Sequence, residues 1–375
     1  MESSLDWVIL KVSQICNLDC SYCYVYNRGD TSWKTRPKFI SNEIIMTLTK
    51  RIIEHCETFS LNSFTIEFHG GEPLTLGLKR FSEMISIIKE GCAGINLNLV
   101  IQTNGLLLTK EWIEFFNENK VGIGISIDGP DYINDANRVD HKGKGSTKKL
   151  LSVLEKLNTT EYDEGNFSPG FCCVVNPDLI KGSDLIKWFV QEGINSFDLL
   201  LPDGNVCNLP QNWKGAVQYG DFLIDAFDEW FDMGNEAPAI RKFELMIMGL
   251  FGSKTRLDSL GGDLGNLCVI ETDGGINVND VMRMCGGEFS VDNLNINTNS
   301  LLDKNSYFKI QELQELSPKC KKCQFLSSCG GGYMPHRFDG ESFLNPSLYC
   351  EALYNLSEHI LGRVTNEIRA EINLN

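Results

Sequence analysis

One alternation narrows the fold more than any other feature of this chain. Short apolar runs recur through the first two hundred residues, and amphipathic stretches separate them. The runs are "WVILKVS" (7–13), "SFTIEFHGG" (63–71), "LNLVIQTNG" (97–105), "VGIGISIDG" (121–129), "GFCCVVNP" (170–177) and "SFDLLLP" (196–202). Runs this short and this continuously apolar read as strands of a parallel sheet covered on both faces. Between them, "SNEIIMTLTKRIIEHC" places Ser41 as an N-cap ahead of apolar residues at helical spacing. "TKEWIEFFNEN", "STKKLLSVLEKL" and "SDLIKWFVQEG" repeat the theme. Six βα units predict an α/β fold, a parallel sheet curled into a barrel or partial barrel. Ligands of such sheets sit at the carboxyl ends of the strands. Two further helical patterns lie near 214–233 and 237–252. The Gly-rich "GGDLGN" (261–266) then marks a boundary before a Cys-, Gly- and Asn-rich region with a helical tail. The expected division is a barrel over 1–235, linker helices over 236–260 and a Cys-rich domain over 261–375.

The chemistry is concentrated in two cysteine groups. "QICNLDCSYCYVYN" (14–27) follows the first strand and spaces Cys16, Cys20 and Cys23 three and then two residues apart, with Tyr22 between the last two. A structural zinc takes four ligands, and no fourth is close in sequence. An iron–sulfur cluster tolerates three thiolates because its sulfides hold the cage, and it leaves one iron open to a small chelating molecule. Zinc with a remote ligand and plain buried thiols are the other readings. The second group is "CKKCQFLSSC" (320–329) followed by Cys350. Cys320, Cys323, Cys329 and Cys350 make a full set, which suits an electron-transfer or structural cluster and would also suit a zinc knuckle. Cys56, Cys92, Cys172, Cys173 and Cys207 read as small hydrophobes.

Composition supports metal rather than disulfides. The 375 residues contain 14 cysteines. No signal peptide opens the chain and no apolar run reaches the roughly 18 residues of a membrane span. The expectation is therefore a cytoplasmic protein, where thiols stay reduced. Only six residues precede the first strand, so no leader-binding domain is expected there. A net charge of −16 argues against a nucleic-acid partner.

Polar residues mark the other strand ends. In "HGGEP" (69–73), Gly70 and Gly71 allow backbone to approach a ligand, with Glu72 as an acceptor beside them; a plain turn is the ordinary alternative. "QTNG" and "SIDG" supply Gln102, Asn104, Ser126 and Asp128, which could bind a ribose or simply make turns. Arg138 is a fork-shaped cation suited to a carboxylate, or a solvated loop arginine. Asp280, in "DGGINVNDVMRMC", is a carboxylate able to accept a proton, or a turn residue.

The CxxxCxxC motif after the first strand, with an aromatic before its last cysteine, resembles that of the radical S-adenosylmethionine (SAM) enzymes. The resemblance implies a partial (β/α)6 barrel and SAM chelated by the open iron of a [4Fe–4S] cluster. It implies SAM contacts from Tyr22, from the Gly70–Gly71–Glu72 motif to the amino group, and from Asn104 and Ser126 to the ribose. Arg138 would pair the SAM carboxylate, and the backbone of Val175 would face the adenine. The second cysteine group resembles a SPASM domain, which implies an auxiliary [4Fe–4S] cluster. Such domains often hold two, but Tyr333 stands four residues after Cys329 where cysteine is common. Only Cys268 and Cys285 remain upstream, so a single auxiliary cluster is expected. Longer stretches are similar to the maturases that build three-residue cyclophanes on ribosomal peptides: "LKVSQICNLDCSYCYVYNRGDTSWKTRP", "FHGGEPLTLG", "LLLPDGN", "ETDGGINVNDVMRMCGG" and "CGGGYMPHRFDGESFLNPSLYC". This implies a precursor-peptide substrate, hydrogen abstraction by a 5′-deoxyadenosyl radical, a carbon–aromatic cross-link, Asp280 as base, and a donor such as flavodoxin or ferredoxin. Sulfatase maturases resemble the chain more loosely, and Gly286 after Cys285 counts against that assignment. Thioether or ether cross-linking, epimerisation and formylglycine formation are the other enzymatic readings. An iron–sulfur electron carrier and a metal-stapled peptide-binding scaffold are the non-enzymatic ones.

Overall fold

The computed structural model describes residues 5–159, 169–262, 264–286, 294–301 and 312–374. The chain forms two compact units. The first comprises residues 1–127, 134–171 and 264–312, and the second 128–133, 172–263 and 313–375.

All six expected strands form: β1 (Trp7–Ser13), β2 (Ser63–Gly70), β3 (Asn96–Thr103), β4 (Val121–Ser126), β5 (Gly170–Val174) and β6 (Ser196–Leu200). Most stop one to three residues short of the apolar run, where a polar or glycine-containing turn takes over. In the first unit the strand order is β4–β3–β2–β1, with parallel pairing throughout. Strand β7 (Ala239–Ile240) lies parallel to β6 in the second unit.

The helices follow the amphipathic stretches. Helix α1 (Asn42–Phe59) is capped by Ser41, whose hydroxyl accepts from the Ile44 N–H. Helices α2 (Leu78–Gly91), α3 (Lys110–Asn119), α4 (Asp131–Asn137), α5 (Thr147–Thr159), α6 (Gly182–Gln191), α7 (Val217–Asp232) and α8 (Arg241–Leu250) follow in order. Helix α2 packs Phe81 edge-on against Phe68 of β2 and Trp112 of α3, a pairing that adds to burial of the rings.

One addition to the sheet matters for the site. Strands β8 (Leu267–Ile270) and β9 (Ile276–Asn277) come from the region read as Cys-, Gly- and Asn-rich, where no strand was expected. Strand β8 runs parallel to β1, with Val8 opposite Cys268 and Leu10 opposite Ile270. It delivers Glu271 and the turn after it to the carboxyl end of β1, and the chain then continues through β9 to Asp280. Two-residue strands carry too little pattern to be read from periodicity.

Candidate active site

Lys11 is the anomaly in β1. It is a cation in an apolar strand, 2% exposed. Buried charges of this kind must be paired. Lys11 lies opposite His69 across the β1–β2 ladder. Its ammonium donates to His69 Nδ1 at 2.9 Å. An ammonium only donates, so Nδ1 is the acceptor and His69 carries its proton on Nε2. Lys11 also donates to Asp280 Oδ2, in a buried ion pair.

Asp280 is held on every side. Tyr24 Oη donates to Oδ2 at 2.5 Å, and Arg283 Nη2 donates to Oδ1 at 2.7 Å. Burial would raise its carboxyl, but Lys11 and Arg283 outweigh burial and hold it far below the usual carboxylate range. Its side chain does not cap the short turn Val281–Cys285 that follows. Arg283 also pairs with Asp30 at 2.8 Å and Glu271 at 2.6 Å. Thus "NRGDTSW" is tied into this cluster through Asp30, which also accepts from the backbone N–H and hydroxyl of Ser32. Burial, with Lys11 second, lowers His69 to about 3. His69 itself is half-buried.

Of the expected SAM-site residues of the first unit, Gly71, Glu72, Asn104 and Arg138 lie against the cysteine loop or its approach. Between Lys11 and Ser13 the β1–β2 register shifts, and Gly70 adopts φ 146° opposite Ser13. A Cβ on Gly70 would stand 2.2 Å from the Ser13 carbonyl oxygen, so only glycine fits. A Cβ on Gly71 would meet the Ile15 backbone at 2.6 Å. Glu72 is 1% exposed and accepts from Leu74 N–H, Thr103 Oγ1 and Asn104 N–H. Three of the roughly four acceptor sites of a carboxylate are used, which leaves one. Asn104 donates to Asn17 Oδ1 at 2.7 Å and lies 3.9 Å from Cys16 Sγ. Ser126 accepts from Gln102 at 2.8 Å. Arg138 is 8% exposed, not a solvated loop side chain, and donates to Tyr22 Oη at 2.9 Å. In the second unit, Val175 is buried and its N–H donates to the Leu200 carbonyl.

The thiols converge as two groups. Cys16 is pushed up to about 12, mainly by burial and also by Glu72, Cys20 and Cys23. The Leu18 N–H lies 3.4 Å from its sulfur. Such thiols lose their protons on binding iron, and N–H groups aimed at sulfur suit a thiolate ligand. In the second unit, Cys320, Cys323, Cys329 and Cys350 line one cavity of ≈ 190 Å³, walled by Phe325, Leu326, Leu353 and Tyr354. Cys320 and Cys323 close a turn through Cys323 N–H to Cys320 O, and Cys350 opens helix α9 (Cys350–Leu374). Gly330, Gly331 and Gly332 all have positive φ, which turns the backbone sharply after Cys329. An apolar cavity with four thiols on its wall fits a fully ligated cluster. Among the described residues, no group of three His, Cys, Asp or Glu side chains is arranged to hold a single metal ion. Cys268 sits inside β8 and Cys285 at the end of the Val281–Cys285 turn, both buried.

Residues 10–177 match the family described as the radical SAM superfamily. That stretch runs from within β1 through β5 and holds the cysteine loop, and the match supports an enzyme whose cofactors are SAM and iron–sulfur clusters. Over most of its length the chain is similar to the serine-type anaerobic sulfatase-maturating enzyme of Bacteroides thetaiotaomicron, at 27% identity over 94% of this chain and 89% of that protein. It is similar to the cysteine-type enzyme of Clostridium novyi at 26% identity over 96% of both. Among solved structures it superposes on native anSMEcpe with bound AdoMet and the Kp18Cys peptide, with TM-score 0.82, 22% identity, and 97% and 99% of the two chains covered. Streptococcus suis SuiB bound to precursor peptide SuiA gives TM-score 0.62, 15% identity, and 93% and 76% coverage. These superpositions support the expected fold class, a partial radical SAM barrel with a C-terminal Cys-rich SPASM-type region. These two relatives are sulfatase-maturating enzymes and not cyclophane formers, which differs from the expectation drawn from the longer matching stretches and from Gly286.

Lys11, Tyr24, His69 and Arg283 were not read from the sequence as site residues. Two signals were present: a lysine interrupting an apolar strand, and a histidine directly before "GGEP".

Proposed function

We propose that this chain is a maturase that oxidises the β-carbon of a residue in a ribosomally made peptide, with Asp280 as the base. The observation that carries it is the caged, ionised Asp280 carboxylate, held by residues of β1 and of the cysteine loop. Cys16, Cys20 and Cys23 would hold one [4Fe–4S] cluster with an open iron. Cys320, Cys323, Cys329 and Cys350 would hold a second, fully ligated one. The free acceptor site of Glu72 suits the SAM amino group, and Arg138, braced by Tyr22, suits its carboxylate. Asn104 and Ser126 suit the ribose, and the Val175 backbone the adenine. Bound there, SAM supplies a 5′-deoxyadenosyl radical that takes hydrogen from the peptide.

The chain's own task is then to accept a proton as the modified residue loses an electron. Lys11 and Tyr24 occupy Oδ2 and Arg283 occupies one site on Oδ1, so the open acceptor site is on Oδ1. A carboxylate held this far down is a weak base. It suffices because the proton released by an oxidised adduct is strongly acidic. A cluster held by Cys320, Cys323, Cys329 and Cys350 would supply the electron acceptor, and a flavodoxin or ferredoxin would supply the initial reductant.

Two products fit. The full-length relatives favour formylglycine, made from serine or cysteine. The "CSYCYVYNRGDTSWKTRP" stretch favours a cyclophane cross-link. Anaerobically reconstituted enzyme, given SAM, dithionite and peptides of each kind, separates them by mass spectrometry. Serine oxidation and cross-linking both remove two hydrogens. Only formylglycine forms a hydrazone, and only a cross-link suppresses backbone fragmentation inside the ring. Asp280→Asn should still release 5′-deoxyadenosine but lower product about 10²–10⁴-fold. Product at the wild-type rate would overturn the assignment.

A further inference from the structure

We propose that Lys11 and His69 form the path by which the proton taken by Asp280 leaves the site. The inference rests on the reading of Asp280 as base. Its grounds are geometric. Lys11 and His69 are cross-strand neighbours on β1 and β2. Lys11 bridges Asp280 Oδ2 and His69 Nδ1, the latter at 2.9 Å. Asp280 is 5% exposed and Lys11 2%, whereas His69 is half-buried. The chain of groups therefore runs from a buried carboxylate to a half-buried imidazole, and Nδ1 is already the acceptor in it.

The step balances as one proton moved and no electron. Once Asp280 is protonated on Oδ1, a half-turn about χ2, a soft torsion for aspartate, brings that oxygen to Lys11. Lys11 gives a proton to His69 Nδ1 and takes the carboxyl proton in return. The imidazole then releases its other proton from Nε2, as only a histidine can. The carboxylate end favours this direction. Lys11 and Arg283 hold Asp280 far below the usual carboxylate range, so a proton placed on it is readily given up.

A second function of the same residues is simple bracing of Asp280, and the test separates the two. His69→Gln keeps an acceptor for the Lys11 ammonium but cannot carry a proton. With Asp280 as base and His69 as exit, the first turnover should run at the wild-type rate. Later turnovers should slow about tenfold or more, giving a burst of about one product per active site. The difference infrared spectrum after one turnover should then show a protonated carboxyl band, absent in His69→Gln/Asp280→Asn. Added imidazole should restore steady turnover. Equal slowing of the first and later turnovers would make His69 a brace only, and full steady-state activity without the infrared band would overturn the exit path. In both cases Asp280→Asn still decides the base assignment by itself: if that variant makes product at the wild-type rate, the underlying reading fails rather than the path.

Discussion

Lys11→Met tests the cluster at its most buried point. The side chains of Lys11 and Asp280 are 2% and 6% exposed, so solvent does little to replace a lost partner. Removing one member of a buried pair costs about 3–5 kcal/mol, because the other charge is left uncompensated. Arg283 still donates to Oδ1 at 2.7 Å, which places the expected loss near the lower end, about 3 kcal/mol. For a unit of about 150–250 residues, each kcal/mol shifts the melting midpoint by about 2–4 °C, so a fall of about 6–12 °C is expected. Methionine fills most of the lysine volume, so little of this is a cavity effect. The double variant Lys11→Met/Asp280→Leu should recover most of the loss, since replacing a whole buried pair with apolar groups is often near neutral. Arg283 keeps Asp30 and Glu271 in that variant. Anaerobic thermal melts by circular dichroism, with iron content matched between samples, would measure both. A single variant melting within about 2 °C of wild type, or a double variant no better than the single, would refute the pairing argument.

Two further outcomes follow from the same site. His69 is lowered from 6.5 to about 3 and His55 is lowered by burial, so the folded state resists their protonation. The contribution of His69 is complete above pH 6.5 and is lost as pH falls toward 3, that of His55 is likewise lost on acidification, and that of Asp280 is lost only as pH falls below the usual carboxylate range. Urea midpoints from pH 7.5 to 5 should therefore fall with acidification, and less steeply in His69→Gln; equal slopes would contradict the burial of the neutral imidazole. Iron analysis should give about eight irons per chain, two four-iron clusters, and about four after Cys16, Cys20 and Cys23 are replaced together by alanine, with 5′-deoxyadenosine release abolished. A value near twelve in the wild type would bring Cys268 and Cys285 into a third cluster.

The chemistry-bearing cysteines were legible because their spacing is local. A loop of eight residues can present Cys16, Cys20 and Cys23 together wherever it lies, and "CKKCQFLSSC" works the same way. The six main strands and their helices were legible because each carries its own period of burial. Gly70 was legible as a glycine turn, but the reason for it is not local: the Ser13 carbonyl on another strand excludes a Cβ. Arg138 could be read as a solvated loop cation until its burial and its bond to Tyr22 placed it beside the cysteine loop.

The sequence by itself determined the alternating βα pattern, the two thiol sets and the class of cofactor, since each is written in neighbouring residues. Only the tertiary structure decided what surrounds Asp280. Lys11, Tyr24, His69 and Asp280 are separated by up to 269 positions along the chain, and they meet because β8 adds to the edge of β1. A two-residue strand such as β9 has almost no pattern of its own. Its place is set by the ladder it joins, and a buried carboxylate is held ionised only by the cations that this ladder brings to it.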